Sequence, residues 1–358
     1  MLLSRLKFQF FRNLFSIDMT PQRGVNLIIG PNATGKTSLL EAIYTLGHGR
    51  SFKEQRLDSL IQLDQSLFTV FAEIQKEGRM VTCGLMKAKD LPAQIQIGGD
   101  RTRLLSKLAE TLPLLLISPE SFKLLKEGPV ERRKFLDWGV FHVEHSFGSV
   151  WQQYQKVLKQ RNAELKQLVR SNALAAWDRR LAELGETIAE MREAYWKTFS
   201  LCCIAQINEL LPLKGLTISL NAGWDRSQSL EKALAQTLVS DFKRGFTQVG
   251  PHRADIIVKQ NGIDATDIFS RGQQKLLICA FYLAAGEFLK GRTSKACIYL
   301  IDDMAAELDA INQKRVLASL MKTSEQVFVT GLDEGELEDA AQGLEGCVFH
   351  VEQLNQKA

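Results

Sequence analysis

One stretch constrains this chain more than any other. Gly30-Pro31-Asn32-Ala33-Thr34-Gly35-Lys36-Thr37 fits G-x-x-x-x-G-K-[ST], with the apolar run Val25 to Ile29 before it and helix-like Thr37 to Leu46 after it. Strand, glycine-rich turn and helix form the context in which this pattern cradles phosphates. The glycines let backbone N–H groups curl around phosphate oxygens without side-chain clash, and the helix N-terminus adds partial positive charge. In that arrangement Lys36 reaches the β and γ phosphates, and the Thr37 hydroxyl ligates Mg²⁺.

Two further segments carry chemistry. Ile298-Tyr299-Leu300-Ile301-Asp302-Asp303 is an apolar strand ending in two carboxylates. Taken alone it would be a strand-end aspartate capping a helix, but the nucleotide loop elsewhere in the chain favours a different use. Asp302 then holds Mg²⁺, directly or through water, and Asp303 polarises the attacking water as a general base. Ser270-Arg271-Gly272-Gln273-Gln274-Lys275 opens the apolar helix Leu276 to Leu289. Ser270-x-x-Gln273 is a capping box, which already explains a helix start. The same exposed N–H groups can also face a phosphate.

Around these motifs the patterning alternates between strands and helices. Leu6, Phe8 and Phe10 step by two, as in a strand with one buried face. Leu67 to Ile74 and Met80 to Met86 flank Lys76-Glu77-Gly78, a hairpin; Ile95 and Ile97 precede the turn Gly98-Gly99. Strands are also expected at Leu216 to Leu220, Ile256 to Val258 (with the Asn261-Gly262 turn), Ala296 to Ile301, Gln326 to Thr330 and Cys347 to Val351. Between Trp151 and Leu211 there is no proline and one glycine, Gly185. Trp177, Leu181, Leu184, Ile188, Met191, Tyr195, Thr198 and Cys202 step by alternating fours and threes, a heptad seam. Trp151, Tyr154, Leu158, Leu165 and Leu168 form a shorter seam, with a break at Ser171-Asn172. The reading is an α/β fold: a mixed sheet flanked by helices, interrupted by a helical lobe containing an antiparallel helix hairpin. Its segments are 1–140, 141–245 and 246–358.

Composition excludes other classes. The longest nearly unbroken apolar run, Leu276 to Gly286, has 11 residues, against roughly 18 for a membrane span. Arg5, Lys7 and Arg12 interrupt the apolar start, so it is not read as a signal peptide, and a cytoplasmic protein is expected. The six cysteines are scattered with no CxxC pair, and are expected to be reduced. A net charge of +4 permits an anionic partner without demanding one.

The order of the motifs is that of ABC-type ATPases: a Walker A loop, then Ser270-x-Gly272-Gln273, then strand-Asp302-Asp303 upstream of Glu307-Leu308-Asp309. Thr37 and Ser270 lie 233 positions apart, longer than is usual in transporter subunits. Phe10-Phe11-Arg12-Asn13 is similar to a segment of the SMC and RecF group. Gly47 to Phe52, Pro119-Glu120, Gly128-Pro129, Arg132 to Trp138 and Gly250 to Asp255 then narrow the likeness. Over essentially its whole length the chain resembles the bacterial RecF family of DNA replication and repair proteins.

The resemblance implies an ABC-type head with a helical second lobe. It also implies ATP-dependent homodimerisation, in which Ser270 to Gln273 of one protomer complete the ATP site of the other. It adds Arg12 and Asn13 to the ATP-binding set. It further implies that the dimer clamps DNA at gaps or junctions, that slow hydrolysis works as a switch, and that RecR, RecO and RecA are partners. Two departures from the wider ABC pattern suit slow turnover. Asp303 stands where transporters usually carry Glu, and Thr330-Gly331 offers a hydroxyl, not a switch histidine. Candidate DNA contacts are two basic groups: Arg50, Lys53 and Arg56, and Lys123, Lys126, Arg132, Arg133 and Lys134. Two alternatives remain, a transporter ATPase subunit and a fused nuclease. Only 55 residues follow Asp303, too few for a nuclease domain.

Overall fold

The computed structural model describes the chain except residues 77, 127, 168–171, 333 and 356–358. It divides into two units, Met1–Phe122 with Lys275–Ala358, and Lys123–Gln274. The helix Pro129–Val143 and residues 246–274 thus go with the second unit, whereas the sequence had suggested boundaries at 140/141 and 245/246.

In the first unit five strands form a wholly parallel sheet, in the order Gly346–His350, Gly24–Ile29, Gln326–Gly331, Ile298–Ile301, Leu114–Ile117. The middle three are buried at every residue, which is why they read as continuous apolar runs without alternation. Leu114–Ile117 was not anticipated: four apolar residues after Pro113 carry no period. A separate six-stranded antiparallel sheet runs Leu14–Met19, Leu2–Phe11, Leu67–Lys76, Arg79–Ala88, Gln94–Ile97, Asp100–Thr102. The expected mixed sheet is therefore two sheets, each of one kind. The hairpin closes with Lys76 opposite Arg79; Glu77 at its tip lies outside the described residues.

One core joins both sheets to the helix Lys36–His48. Leu39, Leu40, Ile43 and Leu46 of the helix pack with Phe8, Phe68 and Val70 of the antiparallel sheet, and with Leu300 and Phe328 of the parallel one. The start of the chain departs from simple alternation. Leu6 and Phe8 are buried as expected, but Phe10 takes a left-handed backbone (φ 55°), and Phe11 fills the core position instead. That irregularity sits just before Arg12.

In the second unit the helices Phe147–Lys166 and Asn172–Leu210 lie antiparallel. Arg161 meets Asp178, while Trp151, further toward the N-terminus of its helix, meets Arg192, further along the other. The seam holds through Leu181, Leu184, Ile188 and Tyr195, but then passes to Phe199, Cys203 and Ile207, leaving Thr198 and Cys202 half-exposed. A straight helix drifts about 20° per heptad against a 3.5-residue repeat, so the buried stripe slides by one position. Leu168 and Ser171 lie outside the described residues. Leu216–Asn221, Asp255–Gln260 and Ile263–Asp264 make a three-stranded sheet. Its last turn uses Asn261 and Gly262, both at positive φ, as a two-residue hairpin of the I′ type requires.

The centre of this unit is polar. Arg161 is fully buried between Asp178 (2.6 Å) and Asp241 (2.7 Å), and also donates to Thr247 Oγ1 (2.8 Å). His252 Nε2 lies 3.0 Å from the Thr247 carbonyl, which can only accept, so Nε2 carries the proton. Nδ1 then accepts from the Tyr154 hydroxyl at 2.7 Å. His252 is thus a structural neutral imidazole. Burial pushes its pKa down from 6.5 to about 4, with nearby Arg253, Arg133 and Arg161 acting the same way.

A lowered histidine pKa stabilises the fold fully above the unfolded value and loses that contribution as pH falls through the folded value. The window is therefore pH 6.5 down to about 4, with a ceiling of about 3 kcal/mol. All five tryptophans lie in the second unit. Urea unfolding followed by tryptophan fluorescence should lose stability across that window, and His252→Gln should remove most of this loss. Parallel pH profiles for the two proteins would show that His252 is not the titrating group.

Candidate nucleotide site

The phosphate loop emerges from the buried strand Gly24–Ile29 and turns into the helix Lys36–His48. Gly35 sits at φ 112°, and a Cβ there would lie 2.7 Å from Leu14 and 3.1 Å from Asn13. Only glycine satisfies both the left-handed backbone and this close approach. Lys36 Nζ donates to the carbonyls of Gly30 (2.6 Å) and Pro31 (2.8 Å), so its ammonium lies across the loop. Burial lowers its pKa, and the carboxylates of Asp303 and Asp302 oppose that shift. Thr34 Oγ1 donates to the Pro31 carbonyl at 2.9 Å, and Asn13 Nδ2 to the Ala33 carbonyl at 3.0 Å. Asn13 therefore buttresses the loop from the turn of the Leu2–Phe11 and Leu14–Met19 hairpin.

The two aspartates stand where the strand Ile298–Ile301 ends, one strand beyond Gln326–Gly331 from the loop's own strand. Asp302 Oδ1 accepts from Thr37 Oγ1 at 3.0 Å and from Thr330 Oγ1 at 2.9 Å. The Asp303 N–H donates to the same Thr330 oxygen at 2.9 Å. This holds Asp303 in a left-handed backbone (φ 57°), which is unfavourable for a residue with a Cβ. Burial, then Asp302, then Glu307 raise the pKa of the Asp303 carboxyl. Thr330 stands where the wider ABC pattern has its switch histidine, and its hydroxyl could sense a γ-phosphate. Its hydroxyl instead donates to one aspartate and accepts from the next, and the residue is 1 % exposed.

Lys36, Thr37, Asp302 and Asp303 line one cavity of about 950 Å³, with Arg12, Asn13 and Lys53 on its rim. Thr37 and Asp302 present two hard oxygen donors side by side, a set that fits Mg²⁺. Arg12 reaches the cavity from the hairpin turn. Its Nε and Nη2 donate to Glu41 at 2.8 and 2.9 Å, and the Ser51 hydroxyl donates to the same carboxylate. Sequence reasoning missed Glu41 and Ser51. The available signal was one acid inside an otherwise apolar helix face, Leu39-Leu40-Glu41-Ala42-Ile43.

Ser270 to Gln273 belong to the second unit, whereas the cavity belongs to the first. The capping box is formed: the Ser270 N–H donates to Gln273 Oε1 at 2.9 Å, and the Gln273 N–H to Ser270 Oγ at 3.2 Å. Arg271 and Gly272 are exposed.

The basic candidates separate. Arg50 and Arg56 are exposed, and Lys53 lines the nucleotide cavity. Arg132 pairs with both oxygens of Asp255 at 2.6 and 2.9 Å and donates to the carbonyls of Leu124 and Leu125. Arg133 donates to the Ala254 carbonyl, and burial lowers its pKa. Arg132 is thus committed inside the unit, whereas Arg133 is half-exposed. Lys134 pairs with Glu131; Lys126 remains exposed.

The sequence profile described as the RecF/RecN/SMC N terminal domain matches residues 2–356. The DNA replication and repair protein RecF of Shewanella halifaxensis is 40 % identical over 353 residues, covering 99 % of this chain and 97 % of the relative. That of Pseudomonas fluorescens is 42 % identical over 356 residues, covering 99 % and 97 %. Among solved structures, the recombination mediator protein RecF with ATP, of the RecFOR pathway, superposes with a TM-score of 0.86 at 29 % identity, over 98 % of this chain and 96 % of that one. An Smc head bound to the C-winged helix domain of ScpA shares the fold alone, with a TM-score of 0.58 at 16 % identity, over 95 % and 92 %.

Thr330→Val leaves the Asp303 N–H without its acceptor and Asp302 without one donor. An unmade buried hydrogen bond costs about 1–3 kcal/mol. ATP turnover should fall about ten- to a hundred-fold while ATP affinity changes little. Steady-state hydrolysis and equilibrium nucleotide binding of the same variant test this, and unchanged turnover would refute the role given to Thr330.

Proposed function

We propose, since the chain belongs to the RecF family of ABC/SMC-type ATPases, that its cavity binds ATP and that ATP closes a homodimer on DNA. The family places the protein in DNA replication and repair and sets aside the transporter reading. The observation that carries the mechanism is the hydrogen-bonded chain Thr37–Asp302–Thr330–Asp303 at the cavity.

In this reading the loop amides and Lys36 receive the phosphate oxygens. Lys36 already points its ammonium at two loop carbonyls, so it exchanges those acceptors for phosphate without a large movement. Thr37 and Asp302 would hold Mg²⁺, which supplies charge neutralisation on the phosphates. Asp303, its carboxyl pKa raised, accepts the proton of the attacking water. Ser270 to Gln273 act on the ATP of the partner protomer. The formed capping box supports that role, because it orders a helix start whose Ser270, Arg271 and Gly272 are exposed. ATP stabilises the closed dimer through contacts that only the closed state makes. Hydrolysis is then a slow reset.

DNA at single-strand gaps or junctions is the proposed ligand, held through phosphates and not through bases; Arg50 and Arg56 are exposed for that purpose. RecR, RecO and RecA are the proposed partners. Among the described residues no helix is long and apolar enough to cross a membrane, which accords with a proposed cytoplasmic location.

Light scattering without nucleotide, with ADP and with ATP–Mg²⁺ tests the reading. The wild-type mass should double only with ATP. Lys36→Ala should stay monomeric, and Ser270→Arg should bind ATP yet fail to dimerise. A Ser270→Arg dimer would eliminate action in trans. Asp303→Asn should bind ATP, hydrolyse it at least tenfold more slowly and persist as the dimer; wild-type turnover would remove Asp303 as the base.

A further inference from the structure

The guanidinium of Arg12 has two unlike sides. On one, Nε and Nη2 grip Glu41 at 2.8 and 2.9 Å, and Glu41 is 1 % exposed. On the other, Nη1 and Nη2 each stand 3.4 Å from a single oxygen of Glu54, whose side chain is 42 % exposed. The first contact is short, bidentate and sheltered from water; the second is long, shared and solvated. Ion pairs of the second sort exchange readily, whereas removing a partner from the first leaves a buried charge uncompensated. Arg12 itself lines the nucleotide cavity.

The backbone around both acids is fixed. Arg12 takes a left-handed conformation (φ 55°) and its N–H donates to the Leu60 carbonyl at 2.7 Å. Ser51 Oγ donates to Glu41 and accepts the N–H groups of Lys53 (2.8 Å) and Glu54 (2.7 Å). The turn carrying Lys53 and Glu54 is thus anchored to the same carboxylate that aims Arg12. Lys53 lines the cavity too. The turn's backbone is held, while the exposed Glu54 carboxylate makes its long contact with Arg12.

We propose that Glu54 is the resident anion of Arg12 in the nucleotide-free site, that the phosphates of ATP replace it there, and that Glu41 is the positioning residue that keeps Arg12 aimed through the exchange. Glu54 thereby sets the affinity of the site for ATP. A guanidinium already holding one acid partner presents its remaining N–H groups to the next anion in a fixed orientation. The nucleotide must first displace a carboxylate, so the apparent dissociation constant is the intrinsic one divided by the fraction of sites in which Glu54 is disengaged. This rests on the reading of the cavity as an ATP site.

Equilibrium binding of a fluorescent N-methylanthraniloyl ATP analogue, with Mg²⁺, tests it on the full chain in a two-by-two design. Glu54→Gln should tighten binding about two- to fivefold, the range an exchangeable exposed ion pair supplies. In an Arg12→Ala background the same substitution should produce no gain. Equal or greater tightening in that background would mean that Glu54 acts by general charge repulsion, and would overturn the proposal. So would unchanged binding by Glu54→Gln alone. Glu41→Gln should weaken binding, and Arg12→Ala should abolish that difference; a Glu41→Gln protein with wild-type affinity would overturn the positioning role. Absence of saturable binding by the wild-type chain, or binding unaffected by Lys36→Ala, would strike the ATP reading itself and this proposal with it.

Discussion

Asp302 is a carboxylate that is 7 % exposed at the end of an entirely buried strand, and much of the site follows from satisfying it. A buried acceptor without donors costs more than a hydrogen bond returns. Its donors come from both sides: Thr37 at the start of the loop helix and Thr330 at the end of the adjacent strand. Three consecutive parallel strands, Gly24–Ile29, Gln326–Gly331 and Ile298–Ile301, are therefore held in one register where the chemistry lies. Thr330 also receives the Asp303 N–H, so the arrangement that satisfies the first aspartate sets the backbone of the second. The end of one strand and the backbone of Asp303 are positioned by one small hydroxyl.

That reading changes the meaning of a departure from the wider ABC pattern. With histidine absent from the strand end, a threonine looks like a weakened phosphate sensor. In the structure its side chain faces the aspartates and both hydrogen-bonding capacities are in use. The position is a brace; on the hairpin side of the cavity Arg12 stands between a buried and an exposed acid.

The nucleotide loop, the aspartate pair and the capping box could be read from the sequence because each depends on a short local pattern. The helix hairpin could be read because its apolar period persists over many turns. What escaped depends on contacts distant in the chain. Glu41 is meaningful only beside Arg12 and Ser51, and nothing local marks it beyond an acid in an apolar helix. Arg132 and Arg133 looked like a solvated basic run because their partners, Asp255 and the Ala254 carbonyl, lie more than a hundred residues away. The left-handed backbone at Phe10 and the late drift of the helix seam are departures of real backbone from ideal periods.

The first unit is made of two chain segments, and the second is continuous. Three of the five parallel strands, Ile298–Ile301, Gln326–Gly331 and Gly346–His350, come from the later segment. Translation delivers the phosphate loop early, but its strand then lacks both of its neighbours. The helical unit, Lys123–Gln274, leaves the ribosome before those strands emerge. The order of assembly on the ribosome is thus inverted relative to the order of the motifs: lobe first, head last, with the apolar strands Gly24–Ile29 and Leu114–Ile117 still without their partners in between.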